Sequence, residues 1–280
     1  MTDMYGIKYK EPKVIKLQDT GIGVAELAAR TCYDSFENSE NDCIREFDPD
    51  SYLNNVDLIN SVESSELLDS LAWVHHHHSI IEHAVISFYI EGTSRGVLQE
   101  HARHRIQSIS VRSTRYTMSN VINAFVASRH EVDPKSWFIK KIKELDMFVV
   151  DSTAEYLEII HMFEKLMSQL CELGGSGFHD LAVTKSSRQI IGSGNADEVF
   201  EKLQAGKKKR NVGDAFKWIV TDNWKVNLVV TFNIRSLKNY FDLRDSGAAY
   251  FQINWLAEEM KKVTPMKYLK LIDKKYKDAK

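Results

Sequence analysis

The chain has 280 residues, 43% of them apolar and only 4 of them proline, enough to bury a sizeable core as one large domain or two small ones. A formal net charge of −2 and a pI near 6.6 give no general attraction for nucleic acid or an anionic membrane. Three cysteines (Cys32, Cys43, Cys171) lack metal or redox spacing, no signal-like apolar core opens the chain, and no run approaches ~18 apolar residues. Reduced thiols in a soluble cytoplasmic protein are expected.

In chain order, Val14 to Leu17 reads as a short strand, Gly21 and Gly23 as a turn, and Val24 to Ala29 as the start of a helix. Residues 38–52 are acidic and Asn/Asp-rich, a loop or frayed helix. Leu58 to Val74 predicts a helix interrupted at Ser61 to Ser65. Alternation at Ala84, Ile86, Phe88 and Ile90 predicts a strand ending at Gly92, after which Ser94 is placed to cap a helix through Leu98 and Ala102. Residues 129–137 form a polar break. Phe138 to Leu173 is amphipathic and split near Asp151 to Thr153, a helical pair or one bent helix, ended by Gly174, Gly175 and Gly177. Residues 176–212 read as an insertion whose run Lys207 to Arg210 is a solvated surface. Asp214 to Val220 predicts a helix, Val226 to Phe232 a strand, and Arg235 to Leu243 a helix resuming over Ala248 to Met260, with a solvated lysine-rich tail from Lys261. The fold class expected is one α+β domain.

Chemistry concentrates in His101 to Tyr116, HARHRIQSISVRSTRY, where four arginines, two histidines and five hydroxyls stand without an acidic residue. Like charges repel, so stability alone is a poor reason for such a cluster; guanidinium forks and hydroxyls suit phosphate or carboxylate oxygens. A second stretch, FNIRSLKNYFDLR, puts Arg235 and Asn239 four apart on one helical face, with Asn233 placed to cap that helix or hold a ligand. Its plainer reading is an amphipathic helix that buries Leu237, Tyr240, Phe241 and Leu243. His75 to His78 fan out or alternate in either regular structure, and the spacing to Glu82 and His83 misses the helical zinc signature, so no metal site is predicted. Glu82 and His83 read as a carboxylate–imidazole pair or a hydrogen-bonded junction. No nucleophile elbow, Walker A loop or G-x-G-x-x-G occurs, and Cys32 has no neighbouring base.

Arg103-His104-Arg105, seven residues and Ser113 reproduce the R-H-R-x7-S signature, and the chain here resembles the flavin-dependent thymidylate synthases. His77-x-Ser79-x-x-Glu82-His83, Ser94-Arg95, Ser108, Arg115-Tyr116, and Asn233-x-Arg235-Ser236-Leu237 with Asn239 and Arg244 match that family's other motifs, over roughly residues 14–260. The resemblance implies an antiparallel or mixed sheet flanked by helices, and a homotetramer with sites shared between subunits. It implies conversion of dUMP to dTMP, with 5,10-methylenetetrahydrofolate as carbon donor and NADPH as reductant through FAD. Ser79, Glu82, Arg103, His104, Arg105, Asn233, Arg235 and Asn239 are then the flavin-site residues. Glu100, Arg112, Ser113, Arg115, Lys217 and Arg244 take the nucleotide, with Arg244, Ser113 and His104 nearest the chemistry.

The chain also departs from the family pattern. Ser110-Val111 stands where an amide or carboxylate pair is common, Glu100 where glutamine is frequent, and Lys217 where arginine is usual. Val220-Thr221 replaces Leu-Pro, Gly247 and Ala249 replace bulkier polar residues, and Cys32 replaces a serine. A pyrimidine nucleotide hydroxymethylase, or a non-catalytic flavin- or nucleotide-binding protein, is the alternative.

Overall fold

A computed structural model describes residues 6–51, 56–174 and 216–278. The described residues divide into two compact units, one built from residues 12–51, 56–93, 97–111 and 227–278, the other from residues 6–11, 94–96, 112–174 and 216–226.

The first unit carries a four-stranded sheet of order β1-β2-β4-β3, from β1 (Lys13–Asp19), β2 (Val85–Ser94), β3 (Ser108–Val111) and β4 (Lys225–Asn233). β1 runs antiparallel to β2, pairing Lys13 with Glu91 and Asp19 with Ile86 across a bulge between Lys16 and Gln18. β3 runs antiparallel to β4, with Ser108 opposite Thr231 and Val111 opposite Leu228. Between β2 and β4 the Ser87 and Thr231 hydroxyls meet at 2.8 Å and the Gly92 amide donates to Asn227 Oδ1 at 3.1 Å, so these strands also run in opposite senses. The period-2 alternation works as expected: Ile86, Phe88 and Ile90 with Leu228, Val230 and Phe232 are buried in a core shared with Leu237, Ile253, Leu256 and Tyr268. This is an α+β fold, antiparallel strands flanked by helices.

The helices of this unit begin with α1 (Gly23–Tyr33), the short α2 (Asp42–Arg45), α3 (Val56–Asn60) and α4 (Glu66–Trp73). The predicted interruption at Ser61 to Ser65 is present, and Ser65 caps α4 by accepting from the Leu68 amide at 3.3 Å. Gly21 has φ +71°, and a β-carbon there would lie 2.2 Å from the Asn60 carbonyl oxygen. Backbone against backbone cannot yield as a side chain does. Gly21→Ala is expected to cost roughly 3 kcal/mol or more, read as a drop in Tm of about 6 °C or more in thermal melts.

α5 (Arg95–His101) precedes the arginine cluster. The unit ends with helices over Ile234–Arg244, Phe251–Val263 and Met266–Ile272, numbered α9, α10 and α11 below. The lysine-rich tail is not a solvated appendage. Tyr268, Leu269, Leu271 and Ile272 join the core, and Lys261 bridges Asp245 and Asp273.

In the second unit, α6 (Thr114–Ser128), α7 (Pro134–Glu144) and α8 (Thr153–Gly174) enclose a core in which the Phe125, Phe138 and Phe163 rings lie within 5.8 Å of one another, centroid to centroid. The predicted polar break therefore contains a helix start: Asp133 accepts from the Ser136 amide at 3.1 Å and Pro134 takes the first helical position. The expected helical pair exists. Its break begins earlier than predicted, after Glu144, because Phe148 and Val150 form β-bridges with Trp224 and Tyr9. Of the helix expected over Asp214 to Val220, only a one-turn 3-10 segment at Lys217–Ile219 appears in the described residues, and Asp214 and the predicted insertion at 176–212 lie outside them.

Candidate active site

The arginine cluster is divided by the structure. Its first part follows α5 in the sheet-bearing unit. Arg103 and Arg105 are exposed, whereas His104 between them is buried. The second stretch forms α9 of the same unit, starting at Asn233, whose Oδ1 accepts from the Ser236 amide at 2.8 Å. Leu237, Tyr240 and Phe241 fill its buried face; Leu243, expected among them, is exposed. Arg244 follows Tyr240 by one turn, which carries it to the same side as the buried tyrosine.

Arg244 then meets the end of α5. Its Nε donates to His104 Nε2 at 2.8 Å, its Nη2 donates to the Glu100 carbonyl oxygen at 3.3 Å, and its Nη1 lies 3.1 Å from Glu100 Oε2. The other carboxylate oxygen of Glu100 lies 3.4 Å from Arg103 Nη1. An arginine only donates, so His104 is a neutral imidazole accepting at Nε2, with its proton on Nδ1. Burial, reinforced by the adjacent Arg244 cation, holds the His104 pKa below the usual histidine value.

Beneath this group lies a buried aromatic stack. The Tyr240 ring meets His104 edge-on at 4.7 Å, and its hydroxyl is 3.1 Å from His101 Nδ1. His101 also packs edge-on against Phe232 at 5.9 Å. Burial depresses the His101 pKa to about 3. Burial raises that of Tyr240. Both are neutral supports at any physiological pH. The sequence places Tyr240 only on the buried face of an amphipathic helix and gives His101 no separate role; the i, i+4 spacing of Tyr240 and Arg244 is the signal that singles out the tyrosine.

A second group on this unit faces solvent. Glu82, in the one-turn 3-10 segment Ile80–His83, pairs with Arg235 of α9 rather than with His83. Ser79, immediately before that turn, and Asn239, one turn beyond Arg235, are exposed. Arg103, Arg105, Arg235 and Asn239 are thus donors that the core does not consume, a set suited to anionic phosphate oxygens. Among the described residues, no group of three or more His, Cys, Asp or Glu side chains is arranged to hold a metal ion.

The remaining candidates belong to the other unit. Ser113 caps α6, its Oγ accepting from the Arg115 amide at 3.3 Å. Arg112 is exposed, Arg115 half-buried, and Lys217 exposed on its one-turn helix.

A model of the family described as "Thymidylate synthase complementing protein" matches residues 13–266. The chain belongs to the flavin-dependent thymidylate synthase family. Curated relatives are distant: the flavin-dependent thymidylate synthase of Wolinella succinogenes is 26% identical over 255 residues, 91% of this chain and 94% of that one. The Campylobacter jejuni enzyme is 28% identical over 256 residues, 91% and 93% of the two chains. A crystal structure of thymidylate synthase X from Helicobacter pylori with FAD and dUMP superposes with a TM-score of 0.58 at 25% identity, covering 94% of this chain and 97% of that one. The family's fold is therefore this fold, and the low identity marks a divergent member.

Proposed function

We propose that the chain is an active thymidylate synthase, converting dUMP to dTMP with 5,10-methylenetetrahydrofolate as carbon donor and NADPH as reductant, and that it works as a homotetramer with sites shared between subunits. The observation that carries the reading is Arg244, a guanidinium fixed by His104 and Glu100 in the family's signature region. The family match and the Helicobacter pylori complex with FAD and dUMP support it.

FAD fits the outward-facing donors: Arg103, Arg105, Arg235, Asn239 and Ser79 would hold its anionic and polar parts, with Glu82 orienting Arg235. When bound, FAD supplies the hydride chemistry, which the protein's own side chains cannot perform. Neutral His104 presents its Nδ1–H as a fixed donor, because Arg244 occupies Nε2. The Ser113 hydroxyl and the Arg115 fork would grip the nucleotide phosphate, with Arg112 and Lys217 adding charge. Arg244 would face the pyrimidine and stabilise negative charge as C5 becomes nucleophilic. No protein nucleophile is required.

Replacing the C5 hydrogen releases it as a proton, so 5-tritiated dUMP incubated with the folate, FAD, NADPH and protein is expected to release tritium to water. Release no greater than in a flavin-free control overturns the reading. Mass analysis of the nucleotide product separates a methyl from a hydroxymethyl group.

A further inference from the structure

We infer that Glu100 is a positioning residue, which holds the Arg244 guanidinium in a single plane rather than touching the nucleotide itself. The inference rests on the proposed reaction for the identity of the ligand, but the geometry stands on its own.

A guanidinium has five N–H groups in a rigid fork. In Arg244 two of them are hydrogen-bonded into the protein, Nε to His104 Nε2 at 2.8 Å and Nη2 to the Glu100 carbonyl at 3.3 Å, while Nη1 forms an ion pair with Glu100 Oε2 at 3.1 Å. Two of the three partner atoms belong to Glu100. The N–H groups left for a ligand lie on the two terminal nitrogens, and these contacts block the rotation that would misdirect them. The Glu100 carboxylate is committed on both oxygens, Oε2 to Arg244 and Oε1 to Arg103 at 3.4 Å. It therefore acts through arginine. An ordinary surface pair holds its partner at one point and contributes little. Here the Arg244 side chain is only 15% exposed, and a backbone carbonyl and a buried imidazole complete the hold.

The carboxylate has a second effect. Its charge favours the protonated form of His104 while Arg244 opposes it. Glu100 thus partly offsets the arginine, which a glutamine at this position does not do.

The test uses the full chain. In ligand-free protein with 15N-labelled histidine, E100A is expected to shift the His104 Nε2 resonance as the arginine donor loosens. E100Q, which still offers an oxygen acceptor, is expected to keep it near the wild-type position and to lower the pH at which His104 titrates. In the FAD-loaded enzyme, E100A is expected to lower kcat roughly tenfold or more, E100Q to recover most of that loss, and E100A to add little in an R244A background. An unmoved His104 resonance in folded E100A, or independent multiplication of the E100A and R244A effects, overturns the inference. A wild-type protein without turnover sinks the proposed reaction alone and leaves the histidine spectrum to judge Glu100.

Discussion

Arg244→Ala is expected to lower kcat by two to three orders of magnitude, the scale of removing one preorganised charge-stabilising donor from an active site. The substitution removes the cation, and it also unmakes the local order on which His104 depends. His104 Nε2 loses its donor at 2.8 Å, and the Glu100 carboxylate is left with Arg103, whose side chain is 74% exposed. Because Arg244 holds the His104 pKa down, its loss raises that pKa, and the proton on Nδ1 is no longer fixed by occupancy of Nε2. Arg244→Lys separates charge from geometry. An ammonium keeps the cation but cannot serve the imidazole, the carbonyl and the carboxylate from one plane. Recovery of less than tenfold by lysine is the expected result. Steady-state kinetics on the three proteins, with a histidine NMR titration, checks both parts; near wild-type kcat in folded Arg244→Ala would remove Arg244 from the chemistry.

The parts of the fold read correctly from sequence are those where one face is buried and the other wet. β4 is an example: Val226, Leu228, Val230 and Phe232 are buried while none of Lys225, Asn227, Val229, Thr231 and Asn233 is, so alternation survives in the sequence. α6 is the opposite case. Thr114, Thr117, Met118, Ser119, Val121, Ile122, Ala124, Phe125, Val126 and Ser128 are all buried, so the helix has no single apolar stripe to betray it. β3 has only Ser108 to Val111, too short to stand out from a basic, hydroxyl-rich cluster. The C-terminal helix was hidden by composition: its lysines dominate the eye, whereas the spacing of Tyr268, Leu269, Leu271 and Ile272 carries the burial. At the candidate site, the resemblance to the family points to Arg103, His104 and Arg244, and helix periodicity puts Arg235 and Asn239 on one face, which is exposed. The three-point hold on Arg244 was not legible. It joins residues 140 and 144 positions apart, and such a contact leaves no local periodicity.

His101→Gln is expected to flatten the loss of stability on acidification. Wild-type His101 has a folded pKa depressed from 6.5 to about 3 by burial, so between these values the unfolded chain binds a proton that the folded chain refuses. Where the unfolded state binds more protons, stability rises with pH. The neutral histidine therefore contributes its full share above pH 6.5, and that share declines as pH falls toward 3. The slope is about 1.4 kcal/mol per pH unit, or on the order of 3 kcal/mol by pH 4. Glutamine does not titrate, and it can still offer a polar atom toward the Tyr240 hydroxyl, which His101 Nδ1 approaches at 3.1 Å. Asp19, Asp146 and Asp273 also lose stabilising interactions in acid, since their folded pKa values are lowered. These carboxylates are common to both proteins and cancel in the difference. Urea unfolding at pH 7, 6, 5 and 4 is the measurement. The variant is expected to be the less stable at pH 7, through imperfect packing against Phe232 and Tyr240, and the gap is expected to close or reverse by pH 4. Parallel stability curves for the two proteins would mean that His101 carries its proton in the folded state, and that the neutral support assigned to Tyr240 and His104 is wrong.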